Sequence, residues 1–310
     1  DEKLVKSNED ILEEAELIEA EGTGITGGDP LVTIEKTIEM IHLLKDYFGE
    51  KHHIHLYTAT LSSEKVKRLE EAGLDEIRFH PPSIYWKKIE KTNLKEIAKN
   101  CEISKGIEIP LIPHLKKETI HLLKEVDTYG FDFINLNELE FSITNLEALD
   151  KYGYDAKSDV SSAVKGSEEM AYELLELDLN TPIHYCSSAF KDAVQLRKRI
   201  ERRARNVAKL YEVLTEDGTL LKGVIMADKE QMEKIKEEFE IDDELISWDE
   251  EKKRIETSPF ILEEIAKYLP FKCYIVEEYP TADRLEVEAV SYTHLRAHET
   301  RHDLVCRLLL

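Results

Sequence analysis

A glycine pair in the first thirty residues is the first feature that suggests ligand chemistry. Gly27 and Gly28 follow a short apolar strand and precede Asp29, Pro30 and a helix. Because neither glycine carries a Cβ atom, the backbone there can approach a ligand closely. Proline fixes its own φ angle and ends the strand. The segment predicts either a ligand-binding corner formed by these four residues or an ordinary turn between a strand and a helix.

Polar residues also follow several later predicted strands, at the point where each strand ends. Short apolar strands alternate with longer helical segments as far as about residue 190, which is typical of parallel βαβ units. No dinucleotide-binding glycine fingerprint is present, so the alternation favours a barrel or partial barrel, whose chemistry lies at the C-terminal ends of the strands. Each polar residue there could alone be a surface residue or a helix cap. The candidate site residues at these ends are Asp29, Thr58, His80, Glu108 and residues 135–140.

The pattern changes after about residue 214. Strands and helices are predicted there in the order βαββαβ, which is typical of a small ferredoxin-like α+β domain. Residues 216–218, Glu-Asp-Gly, provide a linker. We therefore predict one domain over residues 1–214 and a ferredoxin-like domain over residues 215–289.

Composition limits the classes of partner. The formal net charge of -23 at pH 7 argues against general affinity for nucleic acid or anionic membranes. No apolar run reaches the roughly 18 residues of a membrane span. The four cysteines match no disulfide framework, so we expect a cytoplasmic protein.

Residues 190–210 are an exception to this acidic character. Eight cations lie on this predicted helix against two acids. The helix could bind a polyanion such as RNA, or its cations could pair with the acidic remainder of the chain.

His184 and Cys186 lie two residues apart on the last predicted strand of the first domain, so they share one face. The pair could contact a metal or cluster, or it could be a core thiol beside a hydrogen-bonded histidine. Two ligands are too few for a zinc site.

The last residues, 290–310, resemble the translation of a sequencing adapter and are expected to be non-native. They contain His298-Glu299-Thr300-Arg301-His302, which matches the zinc-protease pattern His-Glu-x-x-His, with His294 and Cys306 at helical spacing from it. Because the adapter match covers essentially the whole tail, we exclude the pattern from functional reasoning.

Five segments together resemble successive strands of the radical S-adenosylmethionine (SAM) enzymes. The likeness covers roughly residues 8–190 and is to an archaeal-type branch related to pyruvate formate-lyase activating enzyme. It implies an α/β fold with a partial (β/α)6 TIM-like barrel whose first strand is missing. The segments are GITGGDP, HIHLYT, GLDEIRFHP, GIEIPLIP and FINLNELEF.

The resemblance also implies a cofactor site. Gly27, Gly28, Asp29 and Pro30 correspond to the family's Gly-Gly-Glu-Pro motif, which holds the methionine end of SAM, although Asp29 is one methylene shorter than glutamate. Thr58 and His80 fall where the family has polar contacts to the methionine and ribose. The strand that contains Glu108 would line the adenine.

The family's cluster motif, Cys-x-x-x-Cys-x-x-Cys, is absent from the sequence. Three thiolates hold the family's [4Fe–4S] cluster, so we expect that the chain begins downstream of this motif and is inactive by itself. The activity implied for the parent protein is reductive cleavage of SAM to a 5′-deoxyadenosyl radical that abstracts hydrogen from a substrate. A ferredoxin or flavodoxin would donate the electron, and the substrate could be a small molecule, a protein or RNA.

Two other functions stay open on the sequence alone. One is a cluster-free barrel lyase or isomerase that uses His80 and Glu108 as acid and base. The other is a polyanion- or RNA-binding protein that uses residues 190–210.

Overall fold

The computed structural model describes residues 3–159 and 161–292 of the 310-residue chain. The chain divides into two compact units. Residues 20–195 form one, which we call the parallel unit. Of the described residues, those up to 19 and those from 196 onward form the other, which we call the antiparallel unit. The domain boundaries predicted from the sequence, at residues 214 and 289, stay predictions.

The parallel unit is built on a six-stranded parallel sheet with strand order β1-β2-β3-β4-β5-β8. Its strands are β1 (Gly22–Ile25), β2 (His53–Thr58), β3 (Glu76–Phe79), β4 (Ser104–Leu111), β5 (Phe133–Glu138) and β8 (Ile183–Cys186), with a separate hairpin of β6 (Ala156–Ser158) and β7 (Ser161–Val164). Its helices are α2 (Ile34–Phe48), α3 (Ser63–Glu71), α4 (Leu94–Asn100), α5 (Lys116–Val126), α6 (Leu146–Lys151), α7 (Ser167–Leu175) and α8 (Ser188–Phe190). Short 3-10 segments cover Ser83–Lys91 and Pro113–Leu115, and a π-helical segment covers Lys191–Leu196.

Alternation along the strands gives this sheet two different faces. On β2, β3 and β5, every second residue is buried and the residues between are partly exposed or exposed. Helical side chains such as Ile41, Leu44 and Leu122 are fully buried with the apolar strand residues and form the core. The opposite face therefore carries the polar residues of the same strands.

The predicted alternation of strands and helices is confirmed as an α/β arrangement with six parallel strands. The β6–β7 hairpin adds two short strands to this alternation, and the sequence did not predict them. The residues of β6 are all exposed, so this strand has no apolar periodicity to reveal it.

The antiparallel unit contains a second sheet with strand order β11-β12-β10-β13-β14, and β9 pairs with β10. Its strands are β9 (Val213–Leu214), β10 (Leu220–Ile225), β11 (Ile246–Asp249), β12 (Arg254–Thr257), β13 (Cys273–Glu278) and β14 (Glu286–Ser291). Its helices are α1 (Asn8–Leu17), α9 (Arg197–Val207), α10 (Lys229–Glu238) and α11 (Pro259–Ile265), with 3-10 turns at Asp243–Leu245 and Ala266–Tyr268. From β10 to β13 the elements follow the predicted βαββαβ order, and β9 and β14 add to it.

Strand β14 includes the first two residues of the segment predicted to be non-native. Val290 pairs with Ile275 and Ser291 with Tyr274 on β13. The His-Glu-x-x-His pattern and the rest of the tail from residue 293 lie outside the described residues.

An ionic cluster is buried in the antiparallel unit. The Lys222 ammonium group lies 2.6 Å from Glu256, 2.7 Å from Glu278 and 3.7 Å from Glu212. Arg254 donates to Glu256 at 3.1 Å and to Glu278 at 2.7 Å. All five side chains are almost fully excluded from water.

Candidate cofactor-binding site

The turn after β1 forms an open corner made of bare backbone, which we call the double-glycine corner (residues 27–30). Gly27 has φ of 124°, a conformation that residues with side chains rarely adopt. A Cβ atom added to Gly27 or to Gly28 would meet no protein atom within 4 Å. Pro30 is buried, and its carbonyl accepts a hydrogen bond from the Thr37 hydroxyl at 2.9 Å. The corner is therefore anchored on one side and open on the other.

The Asp29 carboxylate joins this corner to the end of β2. Oδ1 accepts hydrogen bonds from the Leu31 amide at 3.0 Å and the Thr58 hydroxyl at 2.7 Å. Oδ2 accepts from the Ala59 amide at 3.0 Å and the Thr60 hydroxyl at 2.8 Å. Burial alone would raise the pKa of Asp29, but the hydrogen bonds outweigh it and hold the pKa below its ordinary value. Since a carboxylate offers about four acceptor sites, Asp29 is fully engaged in supporting the corner.

Thr58 and His80 lie beside this support at the ends of β2 and β3. Thr58 is buried, and its hydroxyl also accepts a hydrogen bond from the Thr60 amide at 3.0 Å, so it is used internally. The His80 amide donates to the Thr58 carbonyl at 2.7 Å. Although the His80 ring is accessible to solvent, partial desolvation lowers its pKa, and nearby Glu108 only partly opposes this effect. Of the two predicted site residues Thr58 and His80, His80 is the one whose side chain a ligand at this edge of the sheet could reach.

Alternate residues of four strands place seven polar side chains on the sheet face opposite the core. We call this set the polar face. It consists of His55, Tyr57, Glu76, Arg78, Glu108, Asn135 and Asn137.

Arg78 lies at the centre of the polar face. Its guanidinium group donates to Glu76 at 2.5 Å, to the Tyr57 hydroxyl at 2.8 Å and to Glu108 at 3.2 Å. It also lies over the rings of Tyr57 and Phe133, 5.2 and 5.7 Å from their centroids. The Phe133 ring fits only because residue 106 is glycine, since a Cβ atom there would overlap the ring.

Glu108 connects Arg78 to the end of β5. Its Oε1 atom accepts from the Asn137 side-chain amide at 2.9 Å, and its Oε2 atom accepts from the Asn135 side-chain amide at 3.1 Å. By strand register, His184 lies beside Asn135 and Cys186 beside Asn137. Burial raises the pKa of the Cys186 thiol. With three hydrogen bonds already on its carboxylate, Glu108 is better suited to positioning its neighbours than to the proton transfer that a lyase would need.

The sequence prediction missed the middle of this network. Glu108 and residues 135–140 were expected near the strand ends, but His55, Tyr57, Glu76 and Arg78 were not singled out. Each lies between apolar residues inside a strand, so alternation with period two was the signal that could have found them.

The described residues fit one of the two implied cofactors. The open glycine corner suits the close approach of a small molecule such as SAM. For a cluster, burial raises the pKa of Cys101 to about 12 and that of Cys273 to about 11, which disfavours the thiolate forms. Among residues 3–159 and 161–292, no three His, Cys, Asp or Glu side chains are arranged to hold a metal ion. These residues therefore do not fit a [4Fe–4S] cluster.

The basic segment at 190–210 is largely occupied by internal contacts. Arg203 is buried and bonded to Glu14 at 2.9 Å. Several other cations of the segment also have partners, which favours internal pairing over a polyanion site. They are Lys191 with Glu140, Arg202 with the Ile18 carbonyl, Arg205 with Glu201, and Lys209 with Glu256.

The fold and the corner together define an α/β protein with a candidate ligand site at the C-terminal ends of parallel strands. Residues 218–291 match a family described as a domain of unknown function, DUF8061. Over 309 residues, the chain is 42% identical to a Methanocaldococcus jannaschii protein whose name assigns it to the glycyl-radical enzyme activating enzymes. The match covers 93% of this chain and 80% of that protein. The chain therefore belongs to the same family, that of the radical SAM enzymes.

Within residues 3–159 and 161–292, every helix is too short or too polar to span a bilayer.

Proposed function

We propose that the parallel unit binds SAM at the double-glycine corner and that the protein generates a 5′-deoxyadenosyl radical to activate another protein. The observation that carries this proposal is the open space at Gly27 and Gly28, where a Cβ atom would meet nothing within 4 Å. In this proposal the bare backbone of the corner contacts the methionine end of SAM. Asp29 and Thr58 hold the corner, and His80 and Glu108 lie toward the rest of the cofactor.

The related enzyme's name supports a protein as the substrate. Radical SAM enzymes cleave SAM reductively with an electron that passes through a [4Fe–4S] cluster. A ferredoxin or flavodoxin is the proposed electron donor, and the cytoplasm is the proposed location. The same proposal includes a partial-barrel architecture for the parallel unit and a ferredoxin-like fold for the antiparallel unit.

The cluster in this proposal requires a Cys-x-x-x-Cys-x-x-Cys segment outside the 310 printed residues. We expect the product of the complete gene to form 5′-deoxyadenosine from SAM anaerobically with a strong reductant. Replacing the three cysteines by alanine should abolish that product. A complete gene without such a segment, or equal product from the alanine variant, would contradict the proposed chemistry.

SAM binding can be tested on the present chain. We expect Gly28→Val to weaken SAM binding at least tenfold while the melting temperature stays unchanged, because the new Cβ atom would meet no protein atom within 4 Å and, in this proposal, would occupy the space of the ligand. Isothermal titration calorimetry and thermal unfolding measure the two effects.

Gly130→Ala is the matched control for this substitution. Gly130 also has open space around its Cβ position, but its φ is 83°, so the change should strain the backbone without affecting SAM. If SAM binds Gly28→Val as tightly as it binds the wild type, the corner is not its site.

A further inference from the structure

Glu108 fixes the orientation of two asparagine side chains on the polar face. A carboxylate only accepts hydrogen bonds, so the NH2 groups of Asn135 and Asn137 must both point toward it. Their carbonyl oxygens, the Oδ1 atoms, therefore point away from Glu108. The two amides cannot rotate to exchange the donor for the acceptor without losing these bonds.

The two Oδ1 atoms are available to a ligand. Neither accepts a hydrogen bond from any residue within 3–159 or 161–292. Neither is among the buried side-chain atoms that lack a partner, so both reach solvent. The polar face thus presents two acceptors of fixed direction, together with the second N–H of each amide.

Their spacing matches an extended polypeptide. Residues i and i+2 of a strand are about 6.6 Å apart, and the N–H groups of alternate residues in an extended peptide have the same spacing and direction. We infer that Asn135 and Asn137 are specificity-determining residues that accept hydrogen bonds from two alternate backbone N–H groups of an extended peptide substrate. The reaction on that peptide rests on the proposed function. The hydrogen bonds to the peptide, in contrast, are inferred only from the geometry of the polar face.

The charge of the polar face suits such a ligand. Arg78 is enclosed by Glu76 and Glu108. Desolvation and the neighbouring Arg78 lower the pKa of His55 and favour its neutral form. The face therefore carries one excess negative charge, which favours N–H donors over carboxylate or phosphate groups.

A groove lies beyond the C-terminal ends of β3, β4 and β5. It has a volume of about 450 Å³ and is lined by Ile84 after β3, Ile112 after β4 and Leu139 after β5, among others. Leu139 is four residues beyond Asn135, or about 13 Å along an extended chain. A ligand that reaches both must span about four residues, which a peptide does and a single amino acid does not.

A chemical mutant cycle tests the inference. The probe is an end-capped, fluorescein-labelled octapeptide of glycine and threonine, compared with an analogue in which esters replace the amides of two residues at i and i+2. Each lost hydrogen bond should weaken binding roughly fivefold. We therefore expect the wild-type protein to prefer the amide peptide at least tenfold, and the Asn135→Ala/Asn137→Ala variant to prefer it less than twofold.

Asn180→Ala is the matched control, because Asn180 also donates to a carboxylate, that of Asp127 at 3.0 Å, but lies outside the polar face. It should keep the full amide preference. Asn135→Ser/Asn137→Ser provides a second variant if the alanine protein unfolds, and it too should lose the preference.

Three outcomes overturn the inference. In the first, the wild-type protein binds no peptide at millimolar concentration, and in the second, the amide preference survives in both variants. In the third outcome, the variants lose SAM binding but keep the amide preference. The last outcome would assign the pair to the cofactor. If the wild-type protein prefers the amide peptide but binds no SAM, the proposed function fails and the peptide contacts stand.

Discussion

Replacing Lys222 by methionine is expected to lower the free energy of unfolding of the antiparallel unit by about 3 to 5 kcal/mol. The methionine side chain fills a similar volume but carries no charge. Glu256 and Glu278, which lie 2.6 and 2.7 Å from the Lys222 ammonium group, would then remain buried with less cationic compensation. Urea unfolding followed by circular dichroism measures the loss.

Lys229→Met is the control for this effect. Lys229 pairs with Glu250 at 3.0 Å, but both side chains are exposed, and exposed pairs contribute less than about 1 kcal/mol. A loss in Lys222→Met no larger than that of the control would mean that the buried cluster does not depend on this cation.

The loss in free energy of unfolding caused by Lys222→Met should also become smaller at acid pH. In the wild-type protein, burial alone would raise the pKa of Glu256, but Lys222 and Lys209 outweigh burial and lower it. A lowered pKa stabilises the fold above the unfolded value of about 4.3, and this contribution is lost as pH falls through the folded value. Without Lys222, Glu256 takes up a proton more readily. The two stabilities should therefore converge as the pH falls below about 4.3, and a constant gap there would contradict this account.

Local sequence was sufficient to predict most of the strands and helices but not the side-chain network between them. Gly27, Gly28 and Pro30 are adjacent in the chain, and the backbone restrictions of these residue types alone predict a corner. Arg78, in contrast, meets Tyr57 and Glu108 only because β2, β3 and β4 are neighbours in one register. Register depends on the whole sheet, so this contact could not be read from the segment EIRF alone.

Asp29 illustrates the same limit at a residue that was predicted. Its resemblance to the family's glutamate suggested direct contact with the cofactor. The four hydrogen bonds that engage its carboxylate come from residues 31, 58, 59 and 60, three of which are on the next strand or just beyond it. The sequence pattern singled out Asp29 but could not show which partners would occupy its carboxylate.

Strand β14 was missed for a different reason. All six of its residues are exposed, so burial gives it no apolar periodicity, and its last two residues belong to the segment assigned to an adapter. Backbone hydrogen bonds to the edge of β13 do not depend on side-chain identity. Pairing along this edge can therefore include Val290 and Ser291, which the sequence analysis had excluded as part of the adapter segment.

Asp29→Asn is expected to weaken SAM binding at least tenfold and to lower the free energy of unfolding of the parallel unit by about 1 to 3 kcal/mol. Asparagine replaces one acceptor oxygen by an NH2 group, which would face the Ala59 amide or the Leu31 amide, both of them donors. The corner must then move away from the end of β2. Since Asp29 acts in the proposed site through the corner, SAM affinity should fall by more than stability alone explains.

Asp127→Asn separates these two effects. Asp127 also accepts hydrogen bonds, from the Thr181 amide at 2.8 Å and the Asn180 side chain at 3.0 Å, and these bonds hold its pKa below the ordinary value although desolvation opposes them. It lies in the same unit but does not contact the corner. We expect a similar loss of stability in urea and an unchanged calorimetric affinity for SAM. If the two variants lose SAM affinity equally, Asp29 supports the fold in general and has no particular role in positioning the double-glycine corner.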